Sequence, residues 1–167
     1  MVAISNLQDL LVDQLQDIYN AETQLTKALP KMAKAASSPE LRQAFENHLQ
    51  ETLGHVERLE QAFEALGEKA KGKTCHAMKG LVEEGQEAIK EDAPDSVRDA
   101  ALIGAGQRVE HYEMAAYGTA RSFAESLGQK EVAQLLQQTL EEESAADKLL
   151  TKISAKVNRM AMAGAGA

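Results

Sequence analysis

The chain has 167 residues, enough for one domain with a sizeable core. It is 44% hydrophobic but only 4% aromatic, so its core must be mostly Ala, Leu, Val and Ile, which suits helix packing better than sheets. A net charge of -8 without a basic tail argues against a nucleic-acid partner, and the single cysteine, Cys75, excludes an intramolecular disulfide.

No apolar run approaches the roughly 20 residues of a membrane span, and Met1 to Asn6 lack the charged and apolar regions of a signal peptide. The expected setting is the reduced cytoplasm. A single domain is expected over residues 1–160, followed by a low-complexity, flexible tail at 161–167.

The first long helix should start at Ser5 or Asn6 and bury Leu7, Leu11, Leu15, Ile18, Leu25, Leu29 and Met32. Pro30 should kink it or end its regular part. Glu22 falls inside this stripe. Ser38 and Pro39 open the second helix, which should stop near Gly67. Its stripe reads Leu41, Phe45, His48, Thr52, His55, Leu59, Phe63 and Leu66, with Glu51 beside it.

Residues 67–95 read as a long crossover with one short helix over 76–90. Apolar surface on that helix is expected to support a homodimer. The third long helix runs from Asp95 or Ser96 to Gly128 and carries Glu110 and Glu113 in its stripe. Its glycines Gly104, Gly106 and Gly118 suggest close approach of another backbone. The fourth, from about Gln129 to Met160, has the stripe Val132, Leu136, Leu140, Glu143, Asp147, Leu150, Ile153 and Val157.

Two long hairpins joined by one long crossover make an all-α, ferritin-like antiparallel four-helix bundle. A plain bundle without a buried site is the alternative. Heights can be counted from the hairpin turns at about 1.5 Å per residue. Glu22 lies fifteen residues before Ser37 and Glu51 thirteen after Ser38. Glu113 and Glu143 each lie fifteen from Gly128. The four acids therefore share one level. Glu110, Asp147 and His55 each lie about one turn away. Uncompensated carboxylates in one core would be very unfavourable. Two cations bridged by Glu22, Glu51, Glu110, Glu113 and Glu143, with His55 and Asp147 as further candidate ligands, would satisfy them. Iron suits these donors best, with manganese second and zinc possible. His48 is expected to hydrogen-bond a carboxylate, although it competes with His55 for the imidazole role. Glu141 and Glu142 are assigned to the solvated face, as is His111. Tyr19 and Tyr117 are placed on the inward side, and Cys75 reads as a plain loop thiol.

As a set, several segments resemble the YciF-like branch of the ferritin-like superfamily. They are Asp17 to Glu22, His48 to Thr52, Val56 to Glu60, Arg98 to Ala101, Val109 to Glu113 with Ala116-Tyr117, and Leu140 to Glu143 with Asp147. The resemblance implies a bundle with a dinuclear metal site, in a bacterial group linked to stress responses. The broader superfamily uses Glu-x-x-His on the second and fourth helices. This chain has four-residue steps instead, Glu51 to His55 and Glu143 to Asp147. The functional expectation is a di-iron carboxylate protein that reacts with dioxygen or peroxide. The alternative is a non-enzymatic stress or structural protein in which metal only stabilises the bundle.

Overall fold

The computed structural model describes residues 4–164. It contains α1 (Leu7–Ala35), α2 (Pro39–Ala65), α3 (His76–Lys90), α4 (Asp95–Ser126) and α5 (Lys130–Gly164). Asn6 caps α1, its side-chain oxygen accepting from the Asp9 N–H at 2.8 Å. Ser38 caps α2 with Pro39 in the first turn. Pro30 does not end α1. It sits on the exposed side, and the buried positions around it, Leu29, Met32 and Ala33, keep the helix seated. α2 and α4 end alike, on left-handed glycines at φ 72°, Gly67 and Gly128. The Glu68 N–H reaches the Phe63 carbonyl and the Gly67 N–H the Glu64 carbonyl. Gln129 with Ala124 and Gly128 with Glu125 repeat the pattern. Both are Schellman ends, which a residue with a Cβ would strain. α5 continues to Gly164, so four residues of the expected flexible tail are helical. The remainder, 165–167, lies outside the described residues, as do residues 1–3.

α1 packs on α2 and α4 on α5, and the two hairpins meet through α2 with α5 and α1 with α4. Asp99, at the start of α4, fixes the direction. Its carboxylate accepts the Ser37 and Ser38 N–H groups at 2.8 and 2.7 Å. α4 therefore begins at the α1–α2 turn and runs parallel to α2, and the crossover must travel the length of the bundle. Asp99 is 3% exposed, so its truncation would leave two turn amides without their acceptor. Asp99→Ala should cost about 2 kcal/mol, read from urea unfolding. An unchanged midpoint would show that the turn does not depend on this anchor.

The crossover is tied to α1. Lys73 pairs with Asp13 at 2.5 Å, and the Cys75 N–H donates to Asn20 at 2.8 Å. Gly72 lies against Asn20, where an added Cβ would come within 3.1 Å of the Asn20 Cβ. Cys75 is buried and caps α3, with its thiol 2.9 Å from the Tyr112 hydroxyl, so it is not a plain loop thiol. The apolar side of α3, including Leu81, Val82 and Ile89, packs on the bundle core. That face is used within the chain and carries no argument for a second copy. The atoms nearest an added Cβ at Gly104 and Gly106 are side chains, and none lies within 4 Å at Gly118. Only Gly106 is tight, and it faces the side chains of Leu150 and Phe45. Among the described residues no helix is long and apolar enough to cross a membrane.

The core falls into two clusters. One contains Leu25, Leu29, Leu41, Phe45, Leu102 and Leu150, towards the α1–α2 turn. The other contains Leu11, Leu15, Phe63, Tyr117, Val132 and Leu136. Between them lies a buried polar layer that includes Glu22, His48, Thr52, His55, Glu110, Glu113 and Glu143.

Candidate metal centre

Each long helix supplies this layer from its inward stripe. α1 gives Glu22, between Ile18 and Leu25. α2 gives His48 and His55, two turns apart on one face. α4 gives Glu110 and Glu113, and α5 gives Glu143. Two groups of possible ligand atoms form, each within 4.8 Å. One is His48, Glu110, Glu113 and Glu143. The other is Glu22, His55 and Glu143. Glu143 belongs to both. Its Oε1 lies 3.0 Å from His55 Nδ1, and its Oε2 lies 3.6 Å from His48 Nε2. His55 Nδ1 is also 3.4 Å from Glu22, and His48 Nε2 is 3.4 Å from Glu110.

The far side of each imidazole is held by another carboxylate. His55 Nε2 meets Glu142 at 2.9 Å, and Arg58 grips both oxygens of Glu142 at 2.9 and 3.2 Å. His48 Nδ1 meets Glu51 at 3.2 Å. Tyr117, fully buried, donates to Glu22 at 2.5 Å. Outer carboxylates of this kind orient imidazoles whose inner nitrogens face a metal.

Eight inner carboxylate and imidazole atoms have no aligned hydrogen-bond partner. They are Glu22 Oε2, His48 Nε2, His55 Nδ1, Glu110 Oε2, and both oxygens of Glu113 and of Glu143. Buried polar atoms are rarely left so. His55 Nδ1 is near Glu143, but without hydrogen-bond alignment. Burial, then the charge of Glu143, holds the Glu110 and Glu113 carboxyls well above the usual range. Burial raises Glu22 too, against the pull of His55. Burial would likewise raise Glu143, but the two imidazoles outweigh it and lower the group. Burial would lower His55, yet Glu143 and Glu22 push it up to about 10. The metal-free layer thus neutralises itself with protons. Four carboxylates and two imidazoles with converging lone pairs fit two divalent cations.

Of the expected site residues, Glu22, His55, Glu110, Glu113 and Glu143 come together. Glu51 and Asp147 stand outside both groups. Glu51 lies about 60° around α2 from His48. Its side chain is 47% exposed, and Thr52 takes the inward place at that level. Asp147 sits at the edge of the α5 stripe, where it accepts from Gln107 at 3.0 Å and lies 3.4 Å from His111. Thr139, not Leu140, is the buried position one turn before Glu143. His48 faces the centre rather than only an outer carboxylate. Glu142 is not simply solvated, although adjacency to Glu143 gave no sign of its hold on His55. Tyr19 points away, bonding Glu60 at 2.8 Å near the surface.

Residues 6–163 match the family described as a domain of unknown function, DUF892. The chain belongs to the DUF892 family. This DUF892 chain is 48% identical over 152 residues to protein YciF of Escherichia coli (strain K12), which covers 90% of the chain and 92% of YciF. The crystal structure of the E. coli stress protein YciF superposes with a TM-score of 0.91, at 46% identity, covering 93% of this chain and 99% of that one. YcfI from Rhodopseudomonas palustris, described as a proposed structural protein, gives 0.87 at 45% identity, covering 90% and 96%. Ferritin-like, diiron-carboxylate proteins from Bacillus anthracis str. Ames give 0.70 at 16% identity, covering 90% and 99%. That last likeness concerns the fold alone, and it makes this DUF892 bundle ferritin-like.

Proposed function

We propose that this chain is a dinuclear metal-carboxylate protein of the stress-protein kind, holding iron in preference to manganese or zinc. One observation carries the reading: eight unpartnered lone-pair atoms converge in a buried layer, and Glu143 presents one oxygen to each of the two groups. Glu22, His55 and Glu143 would hold one ion, and His48, Glu110, Glu113 and Glu143 the other, so Glu143 would be shared. Four ionised carboxylates would balance two divalent charges. Bound iron would supply redox chemistry toward dioxygen or peroxide. The chain's own part is to orient both imidazoles through Glu142 and Glu51, to seat the centre between two apolar clusters, and to donate the Tyr117 hydroxyl hydrogen bond to Glu22. Glu51 and Asp147 act from outside this set.

Elemental analysis of protein purified without chelator tests the reading, with two metal ions per chain expected. Protein that neither retains nor takes up iron, manganese or zinc refutes it. Glu142→Ala frees the His55 ring and should weaken metal binding by about 10- to 100-fold. Isothermal titration measures this, and unchanged affinity would show that Glu142 has no hold on the site.

A second reading, that metal only staples the bundle, is favoured by the description of the R. palustris relative as a proposed structural protein. Glu22→Ala combined with Glu113→Ala separates the two. Loss of peroxide consumption supports redox function. A lowered melting temperature, with no turnover in either protein, supports the staple.

A further inference from the structure

The two halves of the polar layer differ in what lies outside them. Glu22 and His55 are fully buried, Tyr117 bonds the first, and Glu142 with Arg58 covers the second. The other half opens on a cavity of about 130 Å³ whose walls come from α2, α4 and α5. His48 and Glu110, 5% and 3% exposed, line it, and His48 Nε2 and Glu110 Oε2 have no hydrogen-bond partner. Glu51 stands on its solvent side. The rest of the wall is largely apolar, including Phe45, Ala146, Leu149 and Leu150.

Size and charge restrict what this space accepts. At about 130 Å³ it is a little under the roughly 150 Å³ of a cavity that binds benzene, so it takes a molecule of up to about six non-hydrogen atoms. A sugar or nucleotide does not fit without parting α2 from α5. An anion would have to pass the Glu51 carboxylate on a chain of net charge -8 and then lose its hydration against apolar side chains. An uncharged molecule of up to about six non-hydrogen atoms meets neither obstacle, and among these dioxygen and peroxide are the ones that bound iron would reduce.

We propose that this cavity is the binding chamber through which a small uncharged ligand, of the dioxygen or peroxide class, reaches the His48–Glu110 half of the centre and only that half. The inference rests on the dinuclear reading above and adds its route and its one-sidedness. The sealed half binds its ion without exchanging an external ligand.

Anaerobic Fe(II)-loaded protein titrated with nitric oxide, an uncharged diatomic, provides the test, with azide as the anionic probe. One nitric oxide per two irons is expected, read by electron paramagnetic resonance. Ala146→Phe fills the chamber without replacing a proposed ligand. It should keep both irons and slow nitric oxide binding about tenfold or more. Asn47→Asp, on the same wall, should leave nitric oxide binding unchanged and weaken azide binding. Two nitric oxide molecules per centre, or unaltered binding in Ala146→Phe, overturns the proposal. Should Ala146→Phe lose iron, Leu149→Trp at the mouth carries the same expectation. Xenon pressure on crystals of metal-free protein needs no iron. Xenon beside Phe45 and Leu150 supports the chamber, and none there overturns it. A wild-type protein that binds no metal refutes the dinuclear reading instead, while the xenon result still judges the cavity.

Discussion

Replacing Glu113 with leucine should raise the stability of the metal-free protein by about 1–4 kcal/mol while lowering metal affinity about 100-fold or more. Glu113 is 1% exposed, and neither of its oxygens has a hydrogen-bond partner. Its neighbours Glu143, Glu22 and Glu110 are carboxylates, so without metal it must carry a proton or stand as an uncompensated charge. Leucine is close to it in size and leaves no unsatisfied atom. Metal reverses the ranking. An ion at 100 times its dissociation constant adds about 2.7 kcal/mol to the wild type, and little to a variant lacking a ligand. Urea unfolding with and without metal reads both effects. Leu102→Ala, a fully buried core position, should instead destabilise by about 2–5 kcal/mol in either condition. If Glu113→Leu behaves like Leu102→Ala, the carboxylate is a structural element of the core and the trade of stability for binding is absent.

That trade is also why the polar layer was legible in the sequence. Apolar stripes at helical spacing are the rule, and a carboxylate inside each of three, with two imidazoles inside the fourth, breaks it at one level. Counting from chemically marked turns put Glu22, Glu51, Glu113 and Glu143 at one level, and of these Glu51 stands outside both groups. Ser38-Pro39 opens α2, and glycines that adopt positive φ close α2 and α4. Residues at stripe edges were harder to place. Glu51 and Thr52 differ by one position, and periodicity alone does not say which turns inward when a helix must face two neighbours. The hydrophobic repeat places Asp147 near the core. Gln107 and His111, across on α4, draw it to the rim. The Glu142–Arg58 brace and the Asp99 anchor depend on contacts between elements far apart in the chain, so no local spacing announces them. Pro30 lowers helix propensity locally, but tertiary packing of α1 overrides it.

The stabilisation conferred by metal should grow as pH rises from about 5.5 to about 8, with protons released on binding. The sign follows from the metal-free layer. Glu22, Glu110 and Glu113 are raised, chiefly by burial, above the ordinary value of 4.5. A raised group favours the folded state below its unfolded value and loses that contribution as pH climbs through the folded one. His55 acts in the same sense. Its stabilisation is complete below 6.5 and fades toward about 10, because Glu143 and Glu22 outweigh the burial that would lower it. Glu143 is lowered, so its contribution is present above 4.5 and lost only on acidification. Above the carboxylate range every remaining shift therefore weakens the metal-free fold with rising pH, by about 1.4 kcal/mol per pH unit for each proton that differs between the folded and unfolded states. Cations replace those protons and remove the penalty. Thermal unfolding across this range, with and without Mn(II) or Co(II), should show the two curves diverging. Calorimetry in buffers of different ionisation enthalpy should count the protons released. Parallel curves would mean that metal sits away from the buried carboxylates and His55, because displacement of their protons couples binding to pH in this direction.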